Sequence, residues 1–270
     1  MKLTDIENPF GGAVYYFDSC TSTMDEARRL AGEVPHGTVV VAALQTGGRG
    51  RFSSRRWAGT AGKNLTFTLI LRYAGFSSVP GAVTLRSGIA VARAIEALEP
   101  VLAARIAVKW PNDVMLGDKK CAGIIAESDG SMVLIGIGVN VAEDFGVTSR
   151  KEAPDAVSIV SALAELDGAA AGSYAEAPHR IPFILEKVLF SLANTLSSGF
   201  DDAWREEFEK RLYLKGRTVR FVAGNTAVPR TVTGTLAGIS AGGEIILIPD
   251  GKTEAEAFAA GEITSNCRAL

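Results

Sequence analysis

The chain has 270 residues, 47% hydrophobic and 21% charged, with a net charge of −2; that suffices for one large domain, or one large and one small, and gives no overall reason to expect a nucleic-acid or membrane partner. Three widely spaced cysteines without a CxxC (Cys20, Cys121, Cys267) argue against a disulfide framework or a zinc site and for a reducing compartment, and two histidines (His36, His179) argue against a histidine-rich metal centre or a His-based triad. No uninterrupted apolar run is long enough to span a membrane and the N-terminus lacks a basic-then-apolar signal, so a cytoplasmic location is expected.

Residues 13–18 (Ala-Val-Tyr-Tyr-Phe-Asp) predict a short strand. Ser19 to Thr23 is a hydroxyl-rich turn, and Met24 to Leu30 reads as a helix with Ser22 or Thr23 as N-cap. The same hydroxyls suit hydrogen bonding to a polar ligand headgroup. Thr38 to Leu44 is a buried strand. Gln45 to Gly62 then holds five glycines, four arginines and Trp57. Glycines let backbone N–H groups approach phosphate closely, and arginine adds bidentate contacts to phosphate or carboxylate. This is not a Walker A loop: Gly59-Thr60-Ala61-Gly62-Lys63 is too short, and Asn64 stands where Ser or Thr is required. No Asp or Glu occurs from Val34 to Ile95, whereas Arg49, Arg51, Arg55, Arg56, Lys63, Arg72, Arg86 and Arg93 do. Such a field suits a small polyanion, with the later arginines (72, 86, 93) read as a solvated basic face.

Leu65, Phe67, Leu69 and Leu71 alternate with Thr66, Thr68, Ile70 and Arg72, predicting a strand with one apolar face. Pro80 is placed to open a helix whose stripe is Leu85, Ile89, Ala92, Ile95 and Leu98. Ile106 to Trp110 is a strand ended by Pro111. Asp113 to Leu116, Lys120 to Glu127 and Met132 to Val141 are three more, the last two joined through the hairpin signal Asp129-Gly130. Consecutive hairpins imply a mixed, mostly antiparallel sheet packed with helices, an α+β fold. A helix is expected from Asp155 to about Leu166 and a loop over 167–178. A long amphipathic helix should follow through Ile181, Ile184, Leu185, Val188, Leu192 and Leu196. A third helix, capped by Asp201 or Asp202, would run through Tyr213 and bury Trp204, Phe208 and Leu212. After Lys215-Gly216 the chain turns to short strands: Thr218–Ala223, Thr231–Ile239, Glu244–Pro249 and Glu256–Ala259. They are separated by Gly224-Asn225, Gly242-Gly243 and Asp250-Gly251. They suggest a small β-barrel and two domains, 1–213 and 214–270.

Taken together, Ser22-Thr23, Gln45-Thr46 with Gly48-Arg49-Gly50-Arg51, Trp57, Asn64-Leu65, Lys109-Trp110-Pro111-Asn112-Asp113, Lys120-x-x-Gly123-Ile124 and Gly136-Ile137-Gly138-Val139-Asn140 resemble the biotin–protein ligases (biotin–[acetyl-CoA-carboxylase] ligases) in order and spacing. The resemblance covers roughly residues 13–265. It implies a class II synthetase-like catalytic domain with an SH3-like C-terminal barrel, and a two-step reaction. Biotin and ATP, with Mg²⁺, would give biotinyl-5′-AMP and pyrophosphate; a lysine of a biotin carboxyl carrier domain would then take the biotinyl group. Such chemistry needs alignment of two anions and neutralisation of their charge more than covalent help.

By the same resemblance Ser22, Thr23, Gln45 and Gly48 hold the biotin headgroup. Arg49 and Arg51 belong to the loop closing over the adenylate, with Arg51 on the phosphate and Trp57 on the ligand side. Lys120 bridges the biotin carboxylate and the α-phosphate. Asn112, Asp113 and Asn140 are nucleotide contacts, and Asp113 is the candidate Mg²⁺ ligand. Gly123, Gly136 and Gly138 leave space for the biotin rings or acyl chain. Without the motif, Lys120 reads as an exposed lysine at a strand start and Asn112-Asp113 as turn chemistry. Lys119 reads as solvated.

The chain departs from the family pattern at Met24, where Asn is common after Ser-Thr, and in a segment between Arg51 and Trp57 one residue longer than the commonest form, which leaves Arg55 and Arg56 without assigned roles. The catalytic segment begins almost at once, so a ligase without an operator-binding N-terminal domain is expected. The rivals are a lipoate–protein ligase or octanoyltransferase and a catalytically silent biotin sensor. The Gly-Arg-Gly-Arg loop with Lys-Trp-Pro-Asn-Asp opposes the first, and intact Lys120, Arg51 and Asp113 oppose the second. A homodimer through edge pairing is compatible with such a sheet.

Overall fold

The structure, a computed structural model, describes residues 2–3, 5–52, 55–145, 155–166, 171–172, 177–197, 202–224 and 230–266. Its first sheet is built from β1 (Lys2–Leu3), β2 (Val14–Phe17), β3 (Thr38–Ala42), β6 (Asn64–Arg72), β7 (Ile106–Lys109), β8 (Asp113–Leu116), β9 (Lys119–Asp129) and β10 (Met132–Asn140). Their order is β1-β2-β3-β6-β10-β9-β8-β7. Among these eight strands, β2 and β3 alone pair in parallel, around helix α1 (Thr23–Leu30). The rest follow the hairpin logic of the sequence, with Gly130 at φ 60° closing the β9–β10 turn. Within the Gly/Arg segment, β4 (Gly48–Arg49) and β5 (Arg56–Trp57) form a small separate hairpin where only a loop was expected.

The central strand β6 was expected to have one apolar face, yet eight of its nine residues are buried. Leu65, Phe67, Leu69 and Leu71 meet α2 (Val83–Leu98) and α4 (Ala177–Ser197) in the main core. Ile70 on the opposite face packs with Met24, Leu30, Val40 and Leu134 beneath α1. Each such fully buried aliphatic side chain contributes about 1.5–3 kcal/mol. Helix α2 starts after Pro80 rather than at it, because Ala82 takes a left-handed turn (φ 54°). The expected helix from Asp155 is confined to α3 (Ile159–Ala164), capped by Ser158. Upstream, the backbone of 155–157 is extended and pairs with Lys120: Lys120 N donates to Asp155 O, and Val157 N to Lys120 O. Helix α5 (Ala203–Arg211) buries Trp204 and Phe208 as expected; residue 201 and most of 167–178 lie outside the described residues.

Of the three later arginines, Arg72 and Arg93 are exposed, as a solvated face requires, although both are also paired, and Arg86 is not. Arg86 is only 2% exposed, with its guanidinium 5.2 Å from the Trp204 ring centroid and donating to Thr195 O. Arg72 donates to the carbonyls of Ala31 and Val34 at the end of α1, and Arg93 pairs with Glu207 on α5. Their partners are more than thirty residues away in sequence, and local charge counting could not see them.

The C-terminal segment forms a five-stranded antiparallel sheet of β11 (Thr218–Ala223), β12 (Arg230–Ile239), β13 (Ile245–Pro249), β14 (Glu256–Phe258) and β15 (Gly261–Asn266), ordered β14-β13-β12-β11-β15. Strand β15 was not expected. Phe221 of this sheet packs tilted against Trp110 (centroids 5.9 Å apart), and Trp110 Nε1 donates to Gly243 O, so the core runs on from the first sheet into the second. Among the described residues no helix is long and apolar enough to cross a membrane.

Candidate active site

Helix α1, the Gly/Arg segment and strands β9 and β10 enclose a cleft of about 400 Å³. It is lined by Ser22, Thr23, Gln45, Arg49, Arg51, Trp57, Asn112, Lys120, Gly123, Gly136 and Gly138 from the expected set, joined by Met24, Ile125, Ala126 and Glu127. A volume of a few hundred Å³ with few polar groups is typical of small-molecule sites. Gly48, Asp113 and Asn140 do not line it directly.

The polar end is built from a non-local cap. Ser22 occupies the N-cap position of α1, but its side chain makes no capping bond. Gln45 Oε1 instead accepts from Thr23 N (2.7 Å) and Thr23 Oγ1 (3.2 Å), and Thr68 Oγ1 donates to Thr23 Oγ1 (2.9 Å). The Gln45 amide nitrogen and the Ser22 hydroxyl thus do not serve the helix. Cys20 stands just upstream; burial, with Glu26 and Asp25 adding, pushes its thiol up to about 11, so it is no nucleophile at neutral pH. Cys20 and Cys121 are both free thiols, and Cys267 lies outside the described residues.

Lys120 Nζ lies 2.6 Å from Asp113 Oδ1 and 5.8 Å from the Trp57 ring centroid. Its backbone is held on both sides, by the 155–157 pairing and by Asn140, whose Nδ2 donates to Lys120 O (3.4 Å) and Val157 O (3.3 Å). Asn112 spends its amide on Ile124 O at 3.0 Å. The Trp110–Pro111 peptide bond is cis.

The three glycines make room for protein side chains. A Cβ on Gly138 would lie 2.5 Å from Trp57 Cε2, one on Gly123 3.0 Å from Lys120 Nζ and 3.3 Å from Trp57 Cζ3, and one on Gly136 2.8 Å from Met24 Sδ. Gly48 similarly admits the Trp57 carbonyl. The Trp57 indole therefore lies flat on β9 and β10. Its Nε1 is buried with no hydrogen-bond partner, a cost of about 1–3 kcal/mol.

The arginines are tethered. Arg49 pairs with Asp25 at 2.6 Å, and Asp25 also holds Arg28, which reaches Glu127. Arg51 donates to Gly261 O (2.7 Å) and stacks on Phe52, while Arg55 pairs with Glu262 (2.7 Å). Burial lowers the Arg51 pKa, and the carboxylates of Glu262 and Asp113 oppose that shift. A guanidinium partly stripped of water is primed for an anion.

No local signal marks Glu143 as a site residue. It is 3% exposed and accepts from Thr60 N (2.7 Å), Thr60 Oγ1 (2.8 Å) and Asn64 Nδ2 (2.7 Å), clamping the end of the Gly/Arg segment to the end of β10. Glu143→Ala leaves those donors unsatisfied, so a loss of about 3 kcal/mol or more is expected in denaturant unfolding. Glu143→Gln, which keeps one acceptor, should lose less.

Among the described residues no group of three or more His, Cys, Asp or Glu side chains could hold a metal by itself. Asp113 offers one carboxylate, already ion-paired with Lys120. That suits a cation arriving on a polyphosphate with most of its own waters.

Residues 14–141 match the model of the Biotin/lipoate A/B protein ligase family. The bifunctional ligase/repressor BirA of Bacillus spizizenii is 38% identical over 160 residues, 53% of this chain and 48% of that protein. The biotin–[acetyl-CoA-carboxylase] ligase of Paracoccus denitrificans is 41% identical over 126 residues, 45% of this chain and 51% of that one. The chain thus matches about half the length of these curated relatives. The biotin protein ligase of Aquifex aeolicus in complex with biotin and ATP shares the fold, with a TM-score of 0.70 at 24% identity over 93% of this chain and 97% of that one. The Leishmania major ligase in complex with biotin gives 0.58 at 25% identity over 92% and 98%.

Proposed function

We propose, from the match of residues 14–141 to the Biotin/lipoate A/B protein ligase family model and from the cleft, that the protein is an ATP-dependent ligase that activates biotin as biotinyl-5′-AMP and passes it to a lysine of a biotin carboxyl carrier domain. The observation carrying this reading is one cleft that holds a hydroxyl-and-amide end (Ser22, Thr23, Gln45), a braced lysine (Lys120) and two arginines (Arg49, Arg51). In the first step the biotin carboxylate attacks the α-phosphate of ATP and pyrophosphate leaves. In the second the carrier lysine amine attacks the acyl carbon and AMP leaves.

Ser22, Thr23 and Gln45 bind and orient the headgroup. Lys120 draws the two anions together and neutralises charge building on the α-phosphate, as preorganised donors do. Arg51 takes the phosphate once it leaves Gly261 O, and Arg49 closes the cleft with Asp25. Asp113 holds Lys120 in place and, as the carboxylate paired with that lysine, would hold Mg²⁺, which would shield the phosphates. Trp57 walls the cleft on both the biotin and the nucleotide side, and Asn112 and Asn140 act through the β9 backbone next to the nucleotide. Within this reading residues 1–213 are the catalytic domain. Residues 214–270 are proposed as a small SH3-like domain; among the described residues its sheet is open, with β14 and β15 at its two edges, and the bulges at Arg220/Phe221 and Leu236/Gly238 bend it in the direction a barrel needs.

The test is ATP–pyrophosphate exchange without carrier, comparing biotin, lipoate and octanoate. Exchange driven by biotin is expected. Exchange driven by lipoate or octanoate instead would move the assignment within the family, and none with any acid would overturn it.

A further inference from the structure

We propose that Met24 and Gly136 act as a matched pair that sets the size of the acid headgroup the cleft admits. The inference rests on the reading of the cleft as an acid-binding site and extends it to a specificity-determining residue. Met24 is 6% exposed and lines the cleft from α1. Its thioether lies over Gly136 so closely that a Cβ there would sit 2.8 Å from Sδ and 3.0 Å from Cγ. Gly136 is paired in register with Thr68, and Thr68 donates to Thr23, which is bound to Gln45. The pair therefore forms the wall of the polar end of the cleft, where the ring system of the acid would rest.

The chemistry of methionine fits the task. An unbranched thioether fills an irregular gap and offers a polarisable, apolar surface to a ring. It also has somewhere to go: with hydrogen at Gly136 it lies back against β10, and with a methyl there it must swing into the cleft. The glycine thus keeps the methionine out of the ligand's space, and the methionine keeps larger ring systems out. Neither residue need hydrogen-bond to the ligand.

Two predictions separate this from simple core packing. Gly136→Ala should raise KM for biotin in pyrophosphate exchange by about tenfold with little change in kcat, the mark of lost ground-state space rather than lost transition-state contact. Adding Met24→Ala should restore KM, because the new methyl occupies the vacated volume; neighbouring sites show such non-additivity. Met24→Ala alone should shift the kcat/KM ratio toward a biotin bearing an extra methyl on a ureido nitrogen by at least about tenfold relative to biotin. If the alanine variant does not fold, Met24→Leu, close in volume but shorter in reach, should rescue Gly136→Ala in the same way. The proposal is overturned if Gly136→Ala leaves KM unchanged, if no change at Met24 rescues it, or if the substrate ratio does not move while the wild type exchanges with biotin. A wild type inert toward biotin overturns the ligase reading and the substrate half of this proposal; the packing half is then decided by whether the two changes rescue each other in thermal unfolding.

Discussion

Replacing Lys120 by alanine is expected to lower biotin-driven pyrophosphate exchange by about 10²–10³-fold, the usual effect of removing one preorganised donor from a developing charge, while biotin binding changes by no more than a few-fold. The reason lies in what Lys120 touches. Its ammonium pairs with Asp113 at 2.6 Å, and its backbone is pinned by Asp155, Val157 and Asn140. The side chain is held at little entropic cost before any substrate arrives. Without it the Asp113 carboxylate, 17% exposed, stands unscreened next to two incoming anions. Asp113→Asn in the Lys120→Ala background should therefore recover part of the rate. Calorimetric biotin binding beside exchange kinetics separates the outcomes. Equal losses in both would make Lys120 a binding or structural residue.

The second large effect is expected at Gly138. Even alanine puts a Cβ 2.5 Å from the Trp57 ring, so the indole must leave β10. Overpacking of this kind costs about 1–3 kcal/mol, equivalent to roughly 5- to 150-fold in affinity where the indole forms the wall. Gly138→Val should weaken biotin binding by about 100-fold and shift Trp57 fluorescence to the red as the ring gains water. A variant that binds biotin normally with unchanged emission would show that the indole does not build the cleft.

Much of the sheet was legible because its signals are local. The alternation in Leu65–Leu71 and the Asp129-Gly130 turn specify β6, β9 and β10 from neighbouring residues alone. The cleft residues were legible only as an ordered set, since no single serine, lysine or arginine announces its use. What could not be read depends on partners far away in sequence. Nothing near Thr23 says that Gln45, 22 residues on, will cap the helix. Asp155 has every local mark of a helix start, yet its carbonyl is taken by Lys120. Glu143 is an ordinary acidic residue until Asn64 and Thr60 fold over it. The glycines, expected to leave room for a ligand, do line the cleft; what was not legible is that Trp57 and Met24 also lie against them.

Gly123 and Gly138 face each other across the β9–β10 ladder, and both lie under one indole. Three positions in separate parts of the chain therefore cannot drift independently over evolutionary time. A methyl at 138 is tolerable only after the ring at 57 has shrunk, while the ring, once lost, frees both strands to acquire ordinary β-formers. Lineages of this fold should accordingly divide into two kinds, aromatic-over-glycine and aliphatic-over-alanine or valine. Intermediates should be rare, since each single step between the two carries either a clash or a hole.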